Sequence, residues 1–293
     1  MTLWKLKISS LFNRLQSQAD LLLISILRIL ATITGAIVLF IVFFLILEAI
    51  PVLQDEGIVP FFTDSSWNPA EGLYNLTPML LGTLFVTLGS VLIATPLGIL
   101  SAVFCQYYAP AKIAYFYRRL IELLAGIPSV VYGFWGLVVL VPLINSINPP
   151  GTSLLAGIII LTIMILPTIA LIADASFAKI PEEYLIGAAS LGLSQWGTIV
   201  GVVFPAAKSG LFTGVILETG RAIGETMAVL MVCGNVVQIP RSIFDPMRAL
   251  TANIALEMAY ALGNHRSALF VSGLGLMGMI IILVVASEII NEQ

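Results

Sequence analysis

Six stretches of this chain, near residues 29–50, 78–105, 120–144, 153–176, 209–234 and 267–289, are apolar and nearly free of charge. Each is long enough to cross a hydrocarbon core of about 30 Å at about 1.5 Å per residue. Lipid offers no partner to a backbone amide, so a single crossing must be helical. These stretches predict an all-α integral membrane protein with six transmembrane helices. Only 10% of the 293 residues are charged, against about 25% in a soluble domain, too few to cover a water-facing surface. The reading is a membrane domain over 29–290, preceded by a cytoplasmic N-terminal segment, 1–28, whose first 24 residues form a short surface helix. The apolar run Ile29–Ile50 is interrupted only by Glu48 and is followed by no small-residue cleavage site, so it is an uncleaved first span. Pro96 with Gly98, Gly126 with Pro128, and Pro167 read as positions of packing and kinking within helices.

Lysine and arginine set the orientation. Lys5, Lys7, Arg14, Arg28, Lys112, Arg118, Arg119, Lys179 and Lys208 fall on one side, and Arg241, Arg248 and Arg266 on the other. The nine-to-three bias places both termini in the cytoplasm and the segments 51–77 and 235–266 outside. Within the second, Ala249–Ala261 reads as a helix at the membrane surface that either docks an external partner or caps the bundle.

Several functions are excluded. Cys105 and Cys233 lie in apolar stretches with no CxxC pair, and the lone His265 reads as a loop residue, so no metal site is expected. There is no basic run for nucleic acid, no GxxxxGK[ST] loop for ATP, and no HExxH or GxSxG. The chain carries no catalytic residues and reads as a non-enzymatic component.

The segment 177–208 between the fourth and fifth spans contains Ile180-Pro-Glu-Glu-Tyr-Leu-Ile-Gly-Ala-Ala-Ser-Leu-Gly192 and continues through Trp196 to Pro205. Ile180-Pro181 starts a helix and Gly192 stops it as a left-handed residue. Gly187, Ala188, Ala189 and Ser190 permit close approach of another surface. This spacing resembles the signature of permeases of the ATP-binding cassette importers: Glu-Ala-Ala, three residues, Gly, nine residues, then Ile-x-Leu-Pro. Here the triplet is Ile186-Gly187-Ala188, so isoleucine stands in place of the usual glutamate. The resemblance implies the type I importer permease fold, with a coupling helix seated in a groove of a cytoplasmic ATPase. The contact residues it implies are Glu182, Glu183, Gly187, Ala188, Ala189, Gly192, Trp196 and Pro205, with Gly187 and Ala188 at the closest approach.

Two further motifs, Gly126-Ile-Pro-Ser-Val-Val-Tyr-Gly-Phe-Trp-Gly136 and Gly220-Arg-Ala-Ile-Gly-Glu-Thr-Met-Ala-Val229, resemble the phosphate-specific importer permeases. Met-Ala after Glu-Thr is similar to the PstC-type subunit rather than its PstA-type partner. The resemblance spans roughly residues 70–290. It implies a multi-pass subunit of the bacterial inner membrane that forms half of a phosphate pathway. It implies as partners a PstA-type permease, two copies of an ATP-binding subunit and an external phosphate-binding protein. No cofactor is bound by this chain, ATP and Mg being used by the ATPase. The alternatives are a permease for sulfate or molybdate, or a secondary carrier or channel, which would have no use for an ATPase dock.

Glu218, Arg221 and Glu225, three and four residues apart, would share one face of the fifth helix. If that span begins near Gly210, Arg221 lies about 16 Å into the membrane. A lone charge there costs at least about 2.5–3.5 kcal/mol, so it needs a partner or a wet cavity. Arg221 offers a planar fork of donors to an oxyanion, and Glu225 would hold that fork when no anion is present. The resemblance maps these two onto a charged pair implicated in translocation. Glu218 departs from the family, and reads either as a second counter-charge for Arg221 or as a partner for the neighbouring subunit.

Overall fold

A computed structural model describes the backbone of residues 2–291 and the side chains of residues 22–289. Helix α1 (Thr2–Asp55) leads to a cap made of α2 (Pro60–Thr63) and a two-stranded antiparallel hairpin. In the hairpin β1 (Trp67–Asn68) pairs with β2 (Leu73–Tyr74), Trp67 opposite Tyr74. Helix α3 (Thr77–Val103) crosses the bundle and ends in a π turn, Phe104–Tyr108. There follow α4 (Ala111–Ala125), α5 (Ser129–Trp135), a second π turn (Gly136–Leu140), α6 (Val141–Asn145) and the long α7 (Leu154–Ala178). A corner of α8 (Glu182–Ser190) and α9 (Gln195–Thr198) leads through a third π turn (Ile199–Val203) into α10 (Phe204–Ile223). Two short helices, α11 (Met227–Val232) and α12 (Leu250–Glu257), precede the last, α13 (Gly263–Asn291).

Among the described residues five segments are long and apolar enough to cross a membrane: Leu22–Asp55, Thr77–Tyr108, Leu154–Ala178, Gln195–Ile223 and Gly263–Ile289. A bent pair, Ala111–Ala125 and Ser129–Asn145, with a 90° angle between its halves, makes a sixth if it is counted as one span. The third span is therefore not the continuous 120–144 of the sequence reading. Pro128 has no amide hydrogen and pushes Ile127 away from helical backbone, so Gly126-Ile127-Pro128 breaks the helix where Pro96 and Pro167 are absorbed inside theirs. The fifth helix also differs, running from Gln195 to Ile223 rather than over 209–234, so it begins well inside the segment 177–208. Pro205 removes the donor that the Gly201 carbonyl would meet, and the adjoining π turn takes up the irregularity without ending the helix. Of the segment 1–28, residues 2–28 are the start of α1, with no break before the first span.

The centre of the bundle is the parallel pair α3 and α7, brought together by glycine. A Cβ on Gly98 would lie 2.8 Å from a methyl of Ile169. The Ser90 hydroxyl donates across the contact to the Ile158 carbonyl at 3.2 Å. Met164, Ile165 and Val229 join α7 and α11 in the main apolar cluster. A second cluster gathers Phe61, Trp67, Tyr74, Leu250 and Leu269 beneath the hairpin. A third, around Phe177, Ile199 and Val203, sits at the opposite, coupling end beside α8 and α9. Helix α12 is buried within this packing rather than spread on the membrane surface, and His265 lies in the first turn of α13 rather than in a loop. Both cysteines are buried and free.

Helices α5 and α11 meet at Gly133, where an added Cβ would lie 2.8 Å from the Ala228 Cα. Backbone cannot retreat as a side chain can, so Gly133→Leu should cost about 1–3 kcal/mol or more. Gly201→Leu, with nothing within 4 Å of its Cβ, should stay within about 0.5 kcal/mol of the parent. Thermal unfolding of the purified variants in detergent measures the difference.

Candidate functional site

The two sequence motifs at 126–136 and 220–229 both fall at helix breaks, and the short helices that follow the breaks, α5 and α11, pack on each other. Each break frees backbone groups that side chains then satisfy. The Tyr132 hydroxyl donates to the Leu124 carbonyl at 2.8 Å, closing the end of α4. The Glu225 carboxylate accepts the Ala228 amide at 3.1 Å, closing the start of α11. The Glu225 carbonyl accepts the Thr251 hydroxyl at 2.8 Å.

Arg221 stands in the last turn of α10, where a cation meets the partial negative charge of the carbonyl end. Its Nη1 lies 3.6 Å from Glu218 Oε2, one turn earlier on the same face, and donates to Thr168 Oγ1 of α7 at 3.3 Å. Thr168 is fourteen residues from Leu154 and ten from Ala178, about 21 and 15 Å along α7, so the guanidinium sits deep within the membrane. The pair is asymmetric: the Glu218 side chain is 3% exposed and the Arg221 side chain 39%. Glu218 Oε2 is buried with no hydrogen-bond partner, so the contact is ionic and loose. Beside it, between α10 and α13, a cavity of about 610 Å³ is walled by Thr213, Leu217, Leu283 and Val284 as well as the pair.

This arrangement corrects the expected geometry. Glu225 does not share a helical face with Arg221, because α10 ends at Ile223 and the glutamate turns away to cap α11. The residue that meets the guanidinium is Glu218.

At the coupling end, α8 exposes Glu182, Glu183, Ile186, Gly187, Ala189 and Ser190 and turns Ala188 inward, where it is buried. Ala188 is therefore a packing residue of the bundle and not a point of closest approach, whereas Gly187 is open, with nothing within 4 Å of an added Cβ. Gly192 has φ +72°, the left-handed backbone expected of the helix stop. Trp196 is exposed on α9, whose first turn is capped by Ser194. The Gln195 amide donates to the Tyr107 carbonyl, tying this corner to the end of α3. Pro205 lies exposed just past the π turn.

One charged cluster was not foreseen. At the end opposite the coupling corner, Glu257 Oε2 accepts Trp67 Nε1 at 2.9 Å and lies 2.8 Å from His265 Nε2, while its Oε1 takes Arg248 Nη1 at 2.6 Å. Arg248 also donates to the Asn235 carbonyl and to Asn253. Burial, then the charges of Glu56 and Asp55, raises the Tyr74 phenol beside this cluster above its ordinary pKa. The sequence hint was Glu257, the one charge in Ala249–Ala261. Among the described residues no three His, Cys, Asp or Glu side chains gather as a metal site.

Residues 94–291 match the family model described as binding-protein-dependent transport system inner membrane component. The chain is 45% identical over 211 residues to the probable ABC transporter permease protein YqgH of Bacillus subtilis, covering 70% of this chain and 68% of that one. It is 36% identical over 245 residues to the phosphate transport system permease protein PstC of Mesorhizobium japonicum, covering 76% and 74%. It is 31% identical over 280 residues to the probable phosphate transport system permease protein PstC of Methanocaldococcus jannaschii, covering 87% and 89%. Among solved structures it is similar in fold to a chain of a bacterial alginate ABC transporter bound to its periplasmic protein, with TM-score 0.62, 13% identity, and 88% and 91% covered. A chain of the inward-facing MetNI methionine ABC transporter aligns with TM-score 0.57 and 18% identity, covering 74% and 93%.

Removing the carboxylate at the centre of the buried Glu257 cluster should be costly, because Trp67 would lose its acceptor and Arg248 its counter-charge while both stay buried. Glu257→Ala should lower stability by about 3–5 kcal/mol, against about 1 kcal/mol or less for Glu122→Ala in the exposed Arg119–Glu122 pair. Denaturation of the detergent-solubilised variants compares the two.

Proposed function

This chain belongs to the family of binding-protein-dependent transport system inner membrane components, and from that premise we propose that it is one of two permease subunits of an ATP-driven phosphate importer. The observation that carries the reading is a guanidinium deep in the membrane, held from behind by a buried carboxylate and open on its other side. The names of the PstC relatives point to phosphate as the anion.

In this reading phosphate passes along the open side of Arg221. The fork supplies charge-assisted donors, and Glu218 neutralises the cation between passages. The Glu218 contact is loose enough to yield when an anion arrives. Glu225 serves indirectly, by capping α11 and fixing the break that ends α10 at Arg221. Most discrimination resides in the external binding protein.

A single bundle walls Arg221 on one side only. The second wall is a similar permease of the PstA type, and two ATPase copies receive α8 and α9 of this chain and their counterparts. ATP and Mg are used there, and this chain holds no cofactor. The coupling end and both termini face the cytoplasm, and the hairpin with α12 faces the binding protein.

Replacing the fork by a neutral amide removes charge-assisted hydrogen bonds worth about 1.5–3 kcal/mol, so Arg221→Gln should cut phosphate uptake about tenfold to a hundredfold with assembly intact. Radiolabelled uptake in cells lacking other phosphate carriers decides it. A normal rate removes Arg221 from the pathway, and uptake of sulfate in place of phosphate by the unmodified system removes the substrate. Gly187→Trp fills open space on α8, so the chain should still insert while ATP hydrolysis no longer drives transport; full coupling in that variant would sever α8 from the ATPase.

A further inference from the structure

Helix α4 makes an angle of 90° with the crossing that follows it, and its surface is divided into three stripes. Ala114 and Ile121 are buried against the bundle. Next to them Arg118 holds Asp174 of α7 through two hydrogen bonds, each 2.9 Å. Ile113, Phe116, Leu120 and Leu123, at helical spacing, form a second stripe that is bare: they are 52, 65, 42 and 70% exposed. Lys112, Tyr115, Arg119 and Glu122, each one residue offset from the apolar set, form the third. There Arg119 lies 5.3 Å from the Tyr115 ring centroid and 2.6 Å from the Glu122 carboxylate. At 100° per residue the bare apolar stripe and the polar stripe lie on opposite flanks of the buried one.

The Arg118–Asp174 bridge fixes the level of α4. Asp174 is twenty residues along α7 from Leu154, about 30 Å, which is the thickness of one hydrocarbon core. A helix turned by 90° at that level lies along the boundary instead of crossing it. We infer that α4 is an in-plane anchor at the coupling-side leaflet, with Phe116 and Leu123 among the acyl chains and Lys112 and Arg119 directed at phospholipid headgroup phosphates. The division into an apolar flank, a polar flank that carries Tyr115 and a net positive charge from Lys112, Arg119 and Glu122, and a single buried edge is what an interfacial helix requires. Lysine and arginine stems reach the headgroups from such a position while their apolar parts stay covered. The anchor would hold the end of α3 and the coupling end of α7, which α4 bridges, at a constant level in the bilayer.

The test uses the assembled transporter in vesicles of phosphatidylethanolamine and phosphatidylglycerol, with a nitroxide on single added cysteines. The native Cys105 and Cys233 are buried, and the unmodified chain measures any label they take. At Phe116→Cys and Leu123→Cys the ratio of oxygen to nickel-chelate collisions should be several-fold higher than at Lys112→Cys and Tyr115→Cys. Equal ratios on the two stripes, or weak collisions with both reagents at 116 and 123, would overturn the assignment, the second result meaning that protein covers the stripe. A photoreactive benzoylphenylalanine at Phe116, near the native ring in size, gives an independent readout. Cross-links to lipid are expected, and cross-links to the second permease would contradict a lipid-facing stripe.

Discussion

Backbone polar groups inside a bilayer must be paired within the chain, and that requirement decides where this bundle can bend. A straight helix satisfies it automatically. The breaks at Gly126–Pro128 and Gly224–Thr226 do not, and each is settled by nearby side chains: the Tyr132 hydroxyl on the Leu124 carbonyl, the Glu225 carboxylate on the Ala228 amide, the Thr251 hydroxyl on the Glu225 carbonyl. The second break ends α10 two residues after Arg221 and leaves the guanidinium at a carbonyl terminus, beside α7, instead of in the middle of an unbroken span. Irregular backbone at membrane depth is tolerated where it is buried or lines a cavity, and the cavity between α10 and α13 adjoins Arg221 and Glu218.

The charges of the molecule are held with different firmness at different levels. At the coupling end Arg118 and Asp174 are joined by two hydrogen bonds, and at the opposite end Glu257 gathers a tryptophan, an arginine and a histidine at 2.6–2.9 Å. Between them the Arg221–Glu218 contact is 3.6 Å, with an unpartnered carboxylate oxygen. A firm pair staples helices together. A loose one keeps a charge compensated while leaving its donors free to exchange, which is the behaviour an anion pathway needs. In the proposed role, Glu218 being dry and Arg221 half open would give the exchange a direction, because a ligand would reach only the cation's open side.

Much of this was legible in the sequence, because lipid makes the demand simple: long apolar runs, sparse charge, and a helix stop at Gly192 whose φ is indeed positive. The helix–turn–helix corner of α8 and α9 followed from local pattern. What escaped the sequence depended on continuity and on distance. A sum over apolar residues cannot see that Pro128 ends a helix while Pro96 and Pro167 do not, and assuming an unbroken fifth span put Glu225 on the wrong face. Ala188 and Gly187 are equally small, and only the rotation of α8 against the bundle separates the packed residue from the open one. The Trp67–Glu257 hydrogen bond joins residues 190 positions apart, which no local motif could have indicated. The stripes of α4 are regular in the sequence, but with residues 120–125 assigned to a span, their meaning emerges only with the 90° bend.

In the proposed role the Arg221–Glu218 pair handles an anion and does not serve to hold the bundle. The direct measurement is phosphate uptake by the double variant Arg221→Gln with Glu218→Gln, reconstituted with its partner subunits, alongside its thermal stability. Two neutral amides remove the pair without stranding either charge, so a purely structural pair would be replaced at little cost. The account predicts an assembled transporter of undiminished stability whose uptake is lost. Uptake at the wild-type rate would contradict it.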